Sequence, residues 1–350
     1  MSLSVARRPS ERLGGMLPRG SQRLLPMELL LFPRASPPRL PSVQSSQSRP
    51  PDQPVPLDAW CWRELTGLHI SEKGEDLTNG PVQDYRMKAE DAWGPRWVNC
   101  AHPLSHEFMR VAREKESLVV LAADLPTVDG IVQLIEDVGE YVCALKTHVD
   151  MVEGFNMEDW SKVVDAARSR GMLLFEDRKF ADIGRVAQTQ MGGLYDIRSW
   201  ADLVTSHSIS GPDVVDGVAA AWDEVERIGG VLLLAQMSSS GNLLEEGYTE
   251  STLEIGNASP HVLGYIGNGS SVSELEELRS KVGEGRMIWT PGVNLRAGEG
   301  VLGQRYGHPA EAVLAGSDAI IVGSGIHRSE DPLASAREYA SASWGALLER

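Results

Sequence analysis

Six residues, Asp177-Arg178-Lys179-Phe180-Ala181-Asp182, follow the apolar run Met172-Leu173-Leu174-Phe175. A buried strand ending in Asp-x-Lys-x-x-Asp gathers two carboxylates and an ammonium at its C-terminal lip, where (β/α)8 barrels carry their active sites. A second ammonium joins them, because Lys146 ends an earlier apolar run, Tyr141-Val142-Cys143-Ala144-Leu145. Charges alternating in this way hold a lysine at fixed protonation and set an aspartate against a substrate carboxylate. The plainer reading is a solvated loop cluster, as most charge runs are.

The surrounding elements favour the lip. From Leu118 onward, apolar runs at 118–123, 141–146, 171–176, 202–206, 230–236, 262–266, 286–290 and 318–322 read as strands. Amphipathic stretches separate them, at Val128–Val138, Met157–Arg170, Val214–Arg227, Ser273–Val282 and Ala310–Ala315. Uninterrupted apolar strands alternating with helices predict a parallel sheet covered by helices. Eight such units in about 230 residues predict a closed (β/α)8 TIM barrel over 111–350. No Gly-x-Gly-x-x-Gly follows the first strand, so a dinucleotide-binding fold is not indicated.

The 350-residue chain carries a net charge of −16 and a pI near 5.0, which argues against a nucleic-acid surface. Nor does any stretch reach the roughly 18 uncharged apolar residues of a membrane span. Cys61, Cys100 and Cys143 have no metal-ligand spacing, and their odd number suits a reduced, cytoplasmic compartment. Residues 1–60 hold 11 of the 20 prolines and eight arginines without a lysine, against four acids. That composition predicts a disordered extension; a transit peptide and a mis-assigned gene start are the alternatives. Residues 61–110 read as a helical lead-in, with its clearest helix at His106–Ala112.

Several segments resemble the fungal and animal form of orotidine 5'-phosphate decarboxylase: Leu145–Asp150, Leu174–Gly184, Thr290-Pro291-Gly292-Val293, Leu302-Gly303-Gln304-Arg305-Tyr306 and Ile320-Ile321-Val322-Gly323. The resemblance runs from about Pro103 to the C-terminus. It implies decarboxylation of a nucleotide without metal or other cofactor, within pyrimidine nucleotide synthesis, by a homodimer with shared active sites. Asp177 would face the substrate carboxylate, and Lys179 would stabilise the carbanion and protonate it. Lys146 would complete the charge chain, Asp182 would reach into the neighbouring subunit's site, and Asp124, closing the first strand, would bind ribose. His148 would contact ribose or the interface, or is a packed loop histidine. Ser238 would hydrogen-bond the pyrimidine, and Gln304 and Tyr306 would bridge base and phosphate.

The chain departs from the family pattern where the nucleotide is handled. The family's Val-Gly-Arg-Gly is here Val322-Gly323-Ser324-Gly325, Val186 replaces a threonine, and Ala122 replaces a polar residue. Backbone amides of the Gly323–Gly325 turn would then cradle the phosphate, with Arg328, Arg305 or Arg296 reaching back. A paralogue acting on another carboxylic acid, and a catalytically silent nucleotide-binding homologue, are the competing expectations.

Overall fold

The computed structural model describes residues 87–296 and 305–350, with the backbone of 298–299. Residues 1–60, residues 61–86 of the lead-in and Gln304 lie outside the described residues.

Eight parallel strands close a barrel: β1 (Val119–Ala122), β2 (Ala144–Thr147), β3 (Leu173–Phe180), β4 (Leu203–Ser206), β5 (Gly230–Leu234), β6 (Val262–Ile266), β7 (Met287–Thr290) and β10 (Ala319–Val322). Their order around the wall is β1-β10-β7-β6-β5-β4-β3-β2. Each lies at one of the eight apolar runs. A two-residue antiparallel pair, β8 (Gly298–Glu299) and β9 (Arg305–Tyr306), stands beyond β7.

Two strands differ most in extent from the sequence expectation. Tyr141 belongs to a 3-10 turn at Gly139–Tyr141, so β2 begins only at Ala144. In contrast, β3 continues through the charged residues to Phe180, with a register shift against β4 between Glu176 and Phe180. Asp177 and Lys179 therefore sit in an irregular final turn of the strand itself. Asp124 lies two residues past the end of β1, where Ala123 donates its N–H to Lys146 O at 3.0 Å and extends the ladder by one residue.

The floor of the barrel is aromatic. Helix α1 (Ala89–Trp93), α2 (Pro95–Asn99) and α3 (Pro103–Lys115) precede β1. Helix α3 runs unbroken across the 110/111 division and buries Phe108 against Trp289 of β7, with ring centroids 4.8 Å apart. Trp289 in turn meets Phe175 of β3 edge-on at 5.5 Å. Phe175 lies two residues before Asp177, so this column rises from the plug to the floor of the charged lip. Residues 103–110 thus pack as part of the barrel. Aromatic pairs of this kind add about 0.5–1.5 kcal/mol beyond the area they bury.

On the outside, α4 (Val128–Val138), α5 (Met157–Ser169), α6 (Gly184–Met191), α7 (Ile197–Trp200), α8 (Asp213–Asp223), α9 (Glu246–Ala258), α10 (Val272–Val282), α11 (Pro309–Leu314), α12 (Ser324–His327) and α13 (Pro332–Glu349) cover the wall. Helices α6 and α8 touch through glycine: a Cβ on Gly217 would lie 2.0 Å from Gly184 O. That close approach fixes where α6 begins, and hence where Asp182 is presented.

Candidate active site

The lip of β3 positions the first carboxylate. Asp177 Oδ2 lies 2.7 Å from Lys179 Nζ, 3.2 Å from Lys146 Nζ and 3.3 Å from His148 Nε2. Its Oδ1 accepts the Thr205 hydroxyl hydrogen bond at 2.7 Å, and the Thr205 Oγ1 accepts the Lys179 N–H at 2.9 Å. Lys179 has a left-handed backbone, φ 52°. Burial alone would raise the Asp177 carboxyl, but Lys146, the His148 hydrogen bond and Lys179 outweigh it and hold it well below the usual range.

A second carboxylate continues the chain. Asp124 Oδ1 lies 2.8 Å from His148 Nδ1 and 3.6 Å from Lys146 Nζ. Burial again pushes the carboxyl up, yet the His148 hydrogen bond and the Lys146 charge bring it down to about 2. His148 spans both aspartates. Burial lowers its pKa, and its hydrogen bonds to Asp124 and Asp177 more than compensate, so the net shift is upward. Lys146 is nearly enclosed while Lys179 is about a third exposed, its side chain 36 % accessible, so of the two Lys179 is the more open to the cavity and solvent.

Asp124, Lys146, Asp177 and Lys179 open onto a cavity of ≈ 410 Å³, whereas His148 is not among its lining residues. Ser238, Tyr306, Gly323, Ser324 and Gly325 line it together with Asp124, Lys146, Asp177 and Lys179. Gly292, φ +78°, passes so close to Ser238 that a Cβ there would lie 2.6 Å from the serine Cβ. Ala122 lines the cavity beside Gly323. Val186 lies half-buried on α6, and neither it nor Arg296 is among the lining residues. Arg305 lines a neighbouring hollow, and its Nε donates to Ser238 O at 3.4 Å. Arg328 is exposed and does line the cavity.

Asp182 is not part of this constellation within one chain. It is exposed, and its Oδ1 accepts the Ile183 N–H at 2.7 Å. Thr205, near the C-terminal end of β4, and His327, the last residue of α12, carry no signal in the sequence pattern that marks Asp177 and Lys179. His327 lines the cavity, and burial together with Arg328 lowers its pKa against the pull of Asp124. Thr205 sits inside the apolar run 202–206, and His327 follows the run 318–322 by five residues. Among the described residues no group of three or more His, Cys, Asp or Glu is arranged to hold a metal ion, and no helix is long and apolar enough to cross a membrane.

A closed parallel barrel with a lysine–aspartate–lysine set at its C-terminal lip has the layout of a (β/α)8 enzyme site. Residues 117–339 match the orotidine 5'-phosphate decarboxylase / HUMPS family, and the chain belongs to that family, as a carboxy-lyase. It is 36% identical over 255 residues to orotidine 5'-phosphate decarboxylase of Maudiozyma exigua, covering 71% of this chain and 93% of that protein. It is 38% identical over 252 residues to uridine 5'-monophosphate synthase of Bos taurus, covering 71% of this chain and 50% of that one. The chain therefore spans about half the length of the bovine relative and nearly all of the fungal one. In fold it is similar to orotidine 5'-monophosphate decarboxylase from Methanocaldococcus jannaschii, with TM-score 0.53 at 22% identity, over 65% of this chain and 98% of that one.

Proposed function

We propose that the chain converts orotidine 5'-phosphate to uridine 5'-monophosphate and carbon dioxide, as the names of its fungal relatives suggest. The observation that carries this reading is the alternating set Lys146–Asp177–Lys179, with 3.2 and 2.7 Å separations. Asp177, kept ionised by its neighbours, faces the substrate carboxylate and disfavours it. As the carbon–carbon bond breaks, its electron pair stays on the ring carbon beside the Lys179 ammonium, which then gives that carbon a proton. Fixed charges of this kind stabilise developing charge with little reorganisation. Asp124 and His148 hold ribose hydroxyls, while Ser238 meets the base and Tyr306 bridges base and phosphate. Carbon dioxide release from orotidine 5'-phosphate tests the reading; a chain that releases none from it, yet decarboxylates another acid, would overturn it.

The phosphate would lie at Gly323–Gly325, with Arg328 in place of the family arginine. Lys146 and Lys179 are both engaged with Asp177, and among the described lining residues Arg328 is the guanidinium that could meet an anion. The turn's own helix, α12, has four residues, so its amides contribute little dipole. A homodimer is part of the same proposal. Ile183 and Ile209 are 60% and 70% exposed just before the paired helices α6 and α8. An apolar face beside exposed Asp182 suits a second copy of the chain, into whose site Asp182 would reach.

A further inference from the structure

Glu176 immediately precedes Asp177, and successive residues of a strand project from opposite faces of the sheet. It is fully buried, and a carboxylate stripped of water at such a position is costly unless hydrogen-bonded. Burial raises its pKa to about 7, although its hydrogen bonds from Thr147 and Val149 pull the other way. An apolar side chain would pack there without that cost.

Its contacts suggest what it does. The Thr147 hydroxyl donates to Glu176 Oε2 at 2.7 Å, and the Val149 N–H points at both oxygens, at 3.1 and 3.2 Å. Thr147 is paired with Glu176 across β2 and β3. Val149 opens a 3-10 turn, Val149–Met151, for which His148 supplies no side-chain cap. The carboxylate thus caps that turn from the neighbouring strand. The two residues it holds flank His148, whose ring spans Asp124 at 2.8 Å and Asp177 at 3.3 Å.

We propose that Glu176 is a positioning residue: it grips Thr147 and Val149 on either side of His148 and so fixes the imidazole across the two site aspartates. The carboxylate itself stays out of the cavity and touches no substrate. The inference rests on the reading of this site as the decarboxylation centre for one arm of its test only.

The first arm needs no substrate. Thr147→Val in the full chain keeps the carboxylate and removes the 2.7 Å bond. NMR titration of the His148 ring should show its pKa falling from the raised wild-type value, as the ring loosens from Asp124 and Asp177. The second arm is carbon dioxide release from orotidine 5'-phosphate. Thr147→Val should lower kcat/KM roughly tenfold, mostly through kcat, matching one lost hydrogen bond of about 1.4 kcal/mol. In a His148→Ala background the same change should cost at most about twofold, because residues acting through one another are not additive. Glu176→Gln, which keeps an acceptor for Val149, should retain more activity than Glu176→Leu. An unchanged His148 pKa in Thr147→Val, or equal losses in both backgrounds, would overturn the proposal. A wild-type chain inert on this substrate would defeat the functional reading alone, and the titration would still decide the role of Glu176.

Discussion

Lys179 Nζ and Asp177 Oδ2 stand 2.7 Å apart although the two residues are separated only by Arg178. On a regular strand such residues share a face about 6.6 Å apart along the chain. Here β3 bulges against β4 and Lys179 turns left-handed, at φ 52°. A left-handed lysine costs about 1–2 kcal/mol, and Thr205 holds it in place by accepting its N–H. Strain of this kind gathers where geometry serves chemistry.

In the proposed mechanism, replacing Lys179 with alanine removes the counter-charge and the proton donor together. Loss of one preorganised electrostatic group costs on the order of 3–4 kcal/mol, so turnover should fall by at least two orders of magnitude. Carbon dioxide release under substrate saturation measures this. Turnover above about a tenth of wild type would place the chemistry elsewhere.

Thr205 serves Lys179 and Asp177 at once. Thr205→Val leaves the Lys179 N–H without its acceptor and Asp177 Oδ1 without its donor. Two hydrogen bonds at about 1 kcal/mol each predict a fall in kcat of roughly tenfold or more, with the fold intact by circular dichroism. Thr205→Ser, which keeps the hydroxyl, should recover most of the activity; equal damage from both substitutions would count against the hydroxyl's role.

Asp182 is exposed in its own chain, and its proposed role lies across a dimer. Inactive Lys179→Ala and Asp182→Ala proteins, mixed and allowed to exchange subunits, should then regain activity. Each heterodimer would own one site free of both substitutions. Absence of recovery after demonstrated exchange, or a monomer in sedimentation at micromolar concentration, would defeat the shared site.

The strands were legible because each is buried on both faces and reads as an unbroken apolar run. The extension of β3 was not, since Asp177, Arg178 and Lys179 interrupt that pattern while the backbone goes on pairing to Phe180. Helix α9 also escaped notice: it buries only Thr252, Leu253 and Gly256, so its apolar stripe is thin. At the site, charge and spacing exposed Asp177, Lys179 and Lys146. Thr205 had no such signal, because its role depends on how β4 lies beside the bulge, and strand register is not written in either segment alone. The same holds for Glu176, whose partners arrive from β2.

Arg328 and Ser324 separate two outcomes at the phosphate end. A charge-assisted hydrogen bond contributes roughly 1.5–3 kcal/mol, about ten- to a hundredfold. If Arg328 grips the phosphate, Arg328→Ala should lower kcat/KM on orotidine 5'-phosphate by that factor, and Ser324→Arg should partly restore it. If Ser324→Arg instead raises wild-type efficiency at least tenfold while Arg328→Ala changes nothing, the phosphate has no arginine in the native site. Val186 does not line the cavity of its own chain, so any gain from Val186→Thr, a neutral change, would come only through the proposed partner subunit's site and should be smaller.

Far from the lip, Asp318 is fully buried at the start of β10 among three guanidinium groups. Arg350 reaches it at 3.0 Å and Arg279 also pairs with it, while Arg96 Nε lies 3.0 Å away as an ion pair without hydrogen-bond geometry. Its Oδ2 also accepts the Ile288 N–H at 2.8 Å. Burial would raise its pKa, but the Arg279, Arg96 and Arg350 charges bring it down from 3.8 to about 2. Because the folded value lies below the unfolded one, the stabilisation is fully present above about pH 4 and is lost as pH falls through about 2. Asp318→Asn leaves three cations facing one another, and breaking a buried pair costs about 3–5 kcal/mol. Calorimetry should therefore show the variant melting several degrees below wild type near pH 7, with the gap narrowing as the pH is lowered from 4 towards 2. A gap that stays constant over that range would mean the carboxylate's charge is not what holds these three arginines.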